Sequence, residues 1–342
     1  MKNNYTINNR YLQVFFFIAF TSFIISCDDN NVMEETPSTP VEETALSGSL
    51  TENRTLVATE QYAIQGSFLI KNGATLTIPA GTVLVSDVGT GNFIGVEQGG
   101  KINVQGTSSN PVIMRSANSN PGDWGGLVIC GEAATTEGVD ATAEVGGLIY
   151  GGSDDADNSG SVRYLVIKGA GAQINSESQY NGLSLYAVGS GTTIENVAII
   201  DGADDGVEFF GGTVSVTNLY LENNDDDAVD WTEGWNGTVT NTYVKHSIAG
   251  FSTAVEADGV NNNPSLVNFT AVSTVGGTGL QFKKQSGATL TNAAVSGYTT
   301  AVDMKDNGPT TNIIVEGTGL ASATEDVWNG TALDISSWTW FE

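Results

Sequence analysis

The sequence predicts an all-β solenoid: a single-stranded, right-handed parallel β-helix with coils of about 22 residues. Three observations predict it. Short runs alternate apolar and polar residues between Gly, Asn and Asp, and no segment sustains a helical period. Runs reading small, apolar, polar, apolar recur at near-constant spacing. A second run, marked by Asn, recurs between them with a similar period.

The first track reads Gly182-Leu183-Ser184-Leu185, then Gly206-Val207-Glu208-Phe209, Ala228-Val229-Asp230-Trp231, Gly250-Phe251-Ser252-Thr253, Gly279-Leu280-Gln281-Phe282 and Ala301-Val302-Asp303-Met304. Its starts differ by 24, 22, 22, 29 and 22 residues. In a strand this pattern turns the apolar pair inward and the polar residue outward. The second track carries Asn196, Asn218, Asn241, Asn268, Asn292 and Asn312, spaced by 22, 23, 27, 24 and 20 residues. Val162 to Ile167 fits that track with Arg163 in the Asn place, and Gly73 to Leu84 and Gly100 to Gly106 read as earlier coils.

One coil cannot bury its apolar face, whereas coils stacked about 4.8 Å apart share backbone hydrogen bonds and one core. The aligned Asn side chains can bond along the stack, or can serve as turn residues in the left-handed region. Both roles are structural. Leu50 to Gly66 is expected to cap the first coil, and Trp338-Thr339-Trp340-Phe341 to fold over the last.

The N-terminus reads as a targeting segment. Lys2 and Arg10 precede an apolar run from Val14 to Ile25, too short for a stable span, which needs about 20 apolar residues. The run ends Ile24-Ile25-Ser26-Cys27, which resembles the lipobox of bacterial lipoproteins. That resemblance implies cleavage before Cys27 and lipidation of its thiol. Asp28 and Asp29 resemble the surface-export signal of Bacteroidetes lipoproteins, which implies the outer face of the cell outer membrane. The expected divisions are a signal peptide over 1–26, a lipidated Cys and acidic tether over 27–46, and the β-helix domain over 47–342.

The chain holds 39 acidic and 12 basic residues; without Lys2 and Arg10 the mature charge is −29. Nucleic acid is excluded as an expected partner, because phosphate binding needs a basic footprint. Divalent cations and neutral or cation-bridged glycans remain, and a monomer is expected. Of two cysteines, Cys27 belongs to the anchor and Cys130 reads as a small buried hydrophobe. The lone His246 excludes a His-rich metal site.

The coil pattern resembles the pectin-lyase-like superfamily of right-handed parallel β-helices over about residues 50 to 342. Gly202 to Val214 and Asn224 to Trp231 also resemble a signature of uncharacterised Bacteroidetes surface lipoproteins. The resemblance implies architecture and carries no established activity.

Aligning Gly206 with Ala228 stacks Asp204 over Asp226, Asp205 over Asp227 and Glu208 over Asp230. Two like charges about 5 Å apart repel by about 3 kcal/mol at an effective dielectric near 20. Protonation could offset this, or a bound cation, and calcium takes six to eight oxygen ligands. The alternative is a set of solvated turn acids. Tyr186 and Phe210 fall on an outward row and Trp235 in a turn, so the three rings beside Glu208 and Asp230 form a candidate sugar-stacking platform. Packing of Phe210 and Trp235 into the core is the competing expectation.

Three functions follow. The first is a non-catalytic surface module that binds a glycan or other ligand with calcium. The second is a calcium-dependent polysaccharide lyase or a glycoside hydrolase, with Asp204, Asp205, Asp226, Asp227, Glu208 and Asp230 as candidate catalytic acids. The chain lacks the Gly-His-Gly and Arg-x-Lys motifs of polygalacturonases, and no Lys shares the acidic rows. The third is a purely structural or adhesive rod.

Overall fold

A computed structural model describes residues 44–324 and 328–342. The signal segment, Cys27 and nearly all of the tether lie outside the described residues.

Two kinds of strand alternate along the chain. Long strands, Thr193–Ile200, Val216–Glu222, Thr238–His246, Ser265–Ser273 and Ala288–Ser296, stack in parallel. Short strands, Leu183–Tyr186, Val207–Phe210, Asp227–Thr232, Thr253–Ala257, Thr278–Phe282 and Thr300–Met304, stack in a second column. Each strand therefore pairs with its counterpart one coil away, and the columns join into one 23-stranded sheet. Inward residues run in rows such as Leu183, Val207, Val229, Val255, Leu280 and Val302, all in the main core. Each fully buried aliphatic side chain contributes about 1.5–3 kcal/mol, so the core grows with every coil.

The long strands bend once, and the bend explains the Asn track. Gly160–Lys168 pairs through its first half with Lys101–Gln105 and through its second with Val112–Ser116. Two strands of the earlier coils thus become one bent strand, and the solenoid has three faces. The bending residue adopts the left-handed conformation: φ is 57° at Asn196, 58° at Asn218, 57° at Asn241 and 53° at both Asn268 and Asn292. Asn tolerates that region better than most residues. Each Nδ2 donates to the Oδ1 of the preceding coil, at 2.9, 2.9, 2.8 and 3.0 Å from Asn218 to Asn292. The two expected roles of Asn are therefore held at once.

Four sequence expectations need correction. Tyr164, with φ 49°, occupies the Asn place in its coil, because Arg163 pairs with Glu195 in the strand and forms an ion pair with it. Asn312 leaves the ladder and donates instead to the Gln285 carbonyl at 2.7 Å. Leu50 to Gly66 is not a cap: Ala45–Leu50 already pairs with Gln61–Ile70 as the first coil. The C-terminal tail does not close the last coil but runs back along the outside of the long strands. Phe341 stacks on Tyr220 at 3.8 Å and Trp340 meets the edge of Tyr164. At the end of the solenoid Ile313, Val315, Leu320 and Trp328 already belong to the core, and Trp340 instead joins an outward cluster with Val166, Ala198, Ile200 and Tyr220.

Candidate functional site

The acids come together because a single coil of 22 residues separates the two turns that carry them. Glu208 pairs with Asp230, as the 22-residue spacing requires. Close stacking at this corner depends on Gly206, where a Cβ would lie 2.6 Å from the Ala228 carbonyl oxygen. Asp204 and Asp205 precede one strand, Asp226 precedes the next and Asp227 opens it. The Asp227 amide donates to Asp205 Oδ1 at 2.9 Å, which fixes the two turns in register.

Carboxylate oxygens of Asp204, Asp205 and Asp226 lie within 4.8 Å of one another, and so do those of Asp205, Glu208 and Asp230. Asp205, 5% exposed, belongs to both triads. The five acids line a cleft of about 290 Å³ with Glu144 and a wall running from Gln173 to Gln179 that is amide and hydroxyl except for Glu177. Cation side chains do not line it.

Burial and mutual repulsion hold these acids far from their ordinary ionisation. Asp204 and Asp230 are each pushed up to about 8, first by burial and then by neighbouring acids, Asp226 and Glu256 respectively. Asp205 and Glu208 are raised well above the carboxylate range by burial, with Glu208 and Asp230 as their respective first charged neighbours. Asp226, at the exposed rim, is raised by burial and Glu256. Without a counter-charge the cleft holds protons at neutral pH. With a cation in place the same oxygens would be ionised ligands.

Asp227 departs from the expected set. It accepts from Thr253 Oγ1 at 2.5 Å and is in hydrogen-bond contact with Glu256, an arrangement of two carboxyls that needs a shared proton. It thus faces the next coil, and it lines neither triad nor cleft.

The expected ring platform is also corrected. Tyr186 and Phe210 do point away from the main core, as strand alternation required, yet they are 1% and 5% exposed. They stack on each other at 3.9 Å and lie in a second apolar cluster with Val145, Leu148 and Tyr150. Trp235 is fully buried in the main core, stacked on Phe209 at 4.1 Å, and its Nε1 donates to the Val214 carbonyl at 3.0 Å. None of the three rings is available to a sugar in this conformation.

Sequence reading missed three contributors. Glu256 pairs with Asp230, so the outward row runs Ser184, Glu208, Asp230, Glu256, Gln281 and Asp303. Ser252 does not hold the outward place that its run implied, because the preceding turn is four residues longer than the spacing from Gly250 implied. Ala254-Val255-Glu256-Ala257 fits the same small-apolar-polar-apolar pattern and was the available signal. Lys283 consequently forms an ion pair with Glu256 and borders the acidic row, contrary to expectation. Glu144 reaches the site from a segment outside the repeat and carried no signal, whereas Asn181, directly before Gly182, falls one coil from Asp205 on the repeat alignment and had that signal. Asn181 donates to Glu208 Oε2 at 2.7 Å.

His246 serves the fold. Its ring stacks on Phe251 at 3.6 Å, its Nδ1 lies 2.9 Å from the Tyr298 hydroxyl, and burial pushes its pKa down to about 4. Cys130 is fully buried, and burial raises its thiol.

No curated protein matches the chain. A family model described as a pectate-lyase like beta helix domain matches residues 48–331, a span that includes the acidic cleft and nearly every coil. The chain, a right-handed parallel β-helix by its stacked parallel strands, therefore belongs to the family of pectate-lyase like beta helix domains.

Proposed function

We propose that the acidic cleft binds a divalent cation, with calcium the best fit, and that the protein is a non-catalytic surface module holding an acidic glycan through that ion. The observation that carries this reading is the pair of carboxylate triads. Two ligands on opposite sides of an ion with bonds near 2.4 Å are about 4.8 Å apart, so oxygens confined to that distance can share one calcium. The donor set is all oxygen, which suits calcium and not zinc or copper. With Tyr186, Phe210 and Trp235 buried, ligand contact falls to the ion and to the wall between Gln173 and Gln179, whose amides and hydroxyls flank Glu177. A cation-bridged uronate fits such a cleft better than a neutral sugar.

Catalysis is less well supported. Within each triad the carboxylate oxygens lie closer than the roughly 5 Å or more that separates the two carboxyls of glycosidases. A lyase needs a free base, and Lys283 is engaged by Glu256. Burial acts to lower its pKa, but Glu256 outweighs that, so the net shift is upward and the ammonium keeps its proton. Lipidation at Cys27, with attachment to the outer membrane facing the exterior, completes the proposal; Cys27→Ala should move the protein from membrane to soluble fractions.

Calorimetric titration of chelator-stripped protein with calcium tests the ion. Retention on immobilised polyuronate, with and without calcium and against a neutral polysaccharide, tests the ligand class. Absence of calcium binding overturns the cation. Unsaturated products absorbing near 235 nm, or new reducing ends, overturn the non-catalytic reading.

A further inference from the structure

One wall of the cleft does not come from the coils. Residues 131–152 leave the solenoid and fold back over its outer face. The base of this excursion is tied down. The Tyr150 hydroxyl lies 2.8 and 3.0 Å from the two Glu233 carboxylate oxygens and donates to that group, and Thr135 Oγ1 donates to it at 2.6 Å. Backbone amides of Gly151 and Gly152 donate to the carbonyls of Gly131 and Ala133 at 3.0 and 2.9 Å. The tip is a reversal closed by the Ala143 amide donating to the Leu148 carbonyl at 2.8 Å. It rests on Phe93 and Tyr180 through Val145 and Leu148. Ala143 and Val145 are buried in that cluster, so Glu144 between them turns the other way and lines the cleft.

Acids alone would mark nothing here. The second observation lies beside Glu208. Asn181 is 1% exposed, and while its Nδ2 donates to Glu208, its Oδ1 has no partner. The bond made by its nitrogen aims the amide at the carboxylate. A buried amide oxygen left without a partner is destabilising, and amide oxygens are calcium ligands. The Tyr186 hydroxyl, also 1% exposed and unpartnered, is a neighbour of both Glu208 and Glu144.

We infer that the 131–152 excursion is a cation-operated flap: an ion held by Asp205, Glu208 and Asp230 takes Glu144 and Asn181 Oδ1 as further ligands and fastens the flap tip to the coils. The inference rests on the cation reading of the cleft. Without an ion, Glu144 is one more acid crowded beside Asp204 and Glu208 with no cation between them, and the tip is held by apolar contact alone on that side. With an ion, the same side chain becomes the tip's strongest attachment. The flap covers the stacked Tyr186 and Phe210 rings, so the ion also controls their access to solvent.

The test is calcium titration combined with amide hydrogen exchange over residues 141–150. It uses the chelator-stripped protein, Glu144→Gln, and Glu137→Gln as a control on the same excursion. Calcium should bind the wild type and slow exchange at the tip. Glu144→Gln should bind about tenfold more weakly and lose the slowing, while Glu137→Gln keeps both. Wild type that binds calcium with no slowing, or Glu144→Gln that retains affinity and slowing, overturns the flap and leaves the cation site standing. Wild type that binds no calcium overturns both.

Discussion

The Asn column and the acidic column obey the same geometry and reach opposite energetic outcomes. In both, one residue type sits above itself in successive coils. A carboxamide donates and accepts, so Asn196 to Asn292 satisfy one another through four hydrogen bonds. An ionised carboxylate only accepts, so Glu208, Asp230 and Glu256 repel when charged. The same stacking that completes one column leaves the other wanting protons or a cation. A repeat fold therefore amplifies whatever its repeated side chain does.

The largest expected effect breaks the satisfied column. Asn241→Ala removes two ladder bonds, orphans its neighbours and places Ala at φ 57°. The loss should be about 3 kcal/mol, read by chemical denaturation. A loss below about 1 kcal/mol would show that the bend, and not the ladder, carries the stability.

Calcium should stabilise the unsatisfied column by nearly as much. At a concentration one hundred times its Kd it adds about 2.7 kcal/mol, read as a rise in Tm that chelator reverses. Magnesium should do less, because it prefers a smaller and more rigid octahedral shell. Equal melting curves with and without calcium would mean that protons alone neutralise the cleft.

A smaller effect of informative sign comes from Glu208→Gln. Without cation it should raise stability by about 1 kcal/mol, since it removes one of the stacked acids and keeps the shape. In calcium it should lower the metal-induced gain. A neutral amide that destabilises the cation-free protein would refute repulsion as the dominant interaction.

The mildest expectation is a slope with pH. Asp204 and Asp230 keep their protons in the folded chain to about 8, whereas unfolded Asp releases its proton near 3.8. The folded state binds more protons in that window, so cation-free stability should fall as pH rises from about 4 to about 8. His246 acts in the opposite sense over part of the same window. Its folded pKa of about 4 lies below the ordinary 6.5, so its contribution is lost as pH falls through that interval. Melting in chelator should therefore fall from about pH 4 upward, more gently below about 6.5, where His246 offsets part of the acids' slope, and calcium should flatten the decline. A flat profile in chelator would mean the acids titrate normally.

How far the site could be read depended on turn length. Glu208 and Asp230 were legible because a single 22-residue period separates them and the same strand pattern stands at both ends of it. Glu256 was not, because the turn before Thr253 adds four residues and Gly250-Phe251-Ser252-Thr253 imitates the strand pattern at the wrong place. Period counting assumes constant turns, and nothing local penalises a false match. The outward direction of Tyr186 and Phe210 was legible from strand alternation, but their burial was not. The cover comes from Val145, Leu148 and Tyr150, remote in sequence and outside any repeat.

By itself the sequence determined the solenoid, its period, its inward rows and the Asn corner, since these follow from backbone sterics and side-chain alternation repeated coil after coil. Only the tertiary structure decided which outward residues see solvent, which acids share a cleft and what stands over them. Those outcomes depend on excursions such as 131–152, whose resting place is set by packing against distant coils and not by any spacing within their own residues.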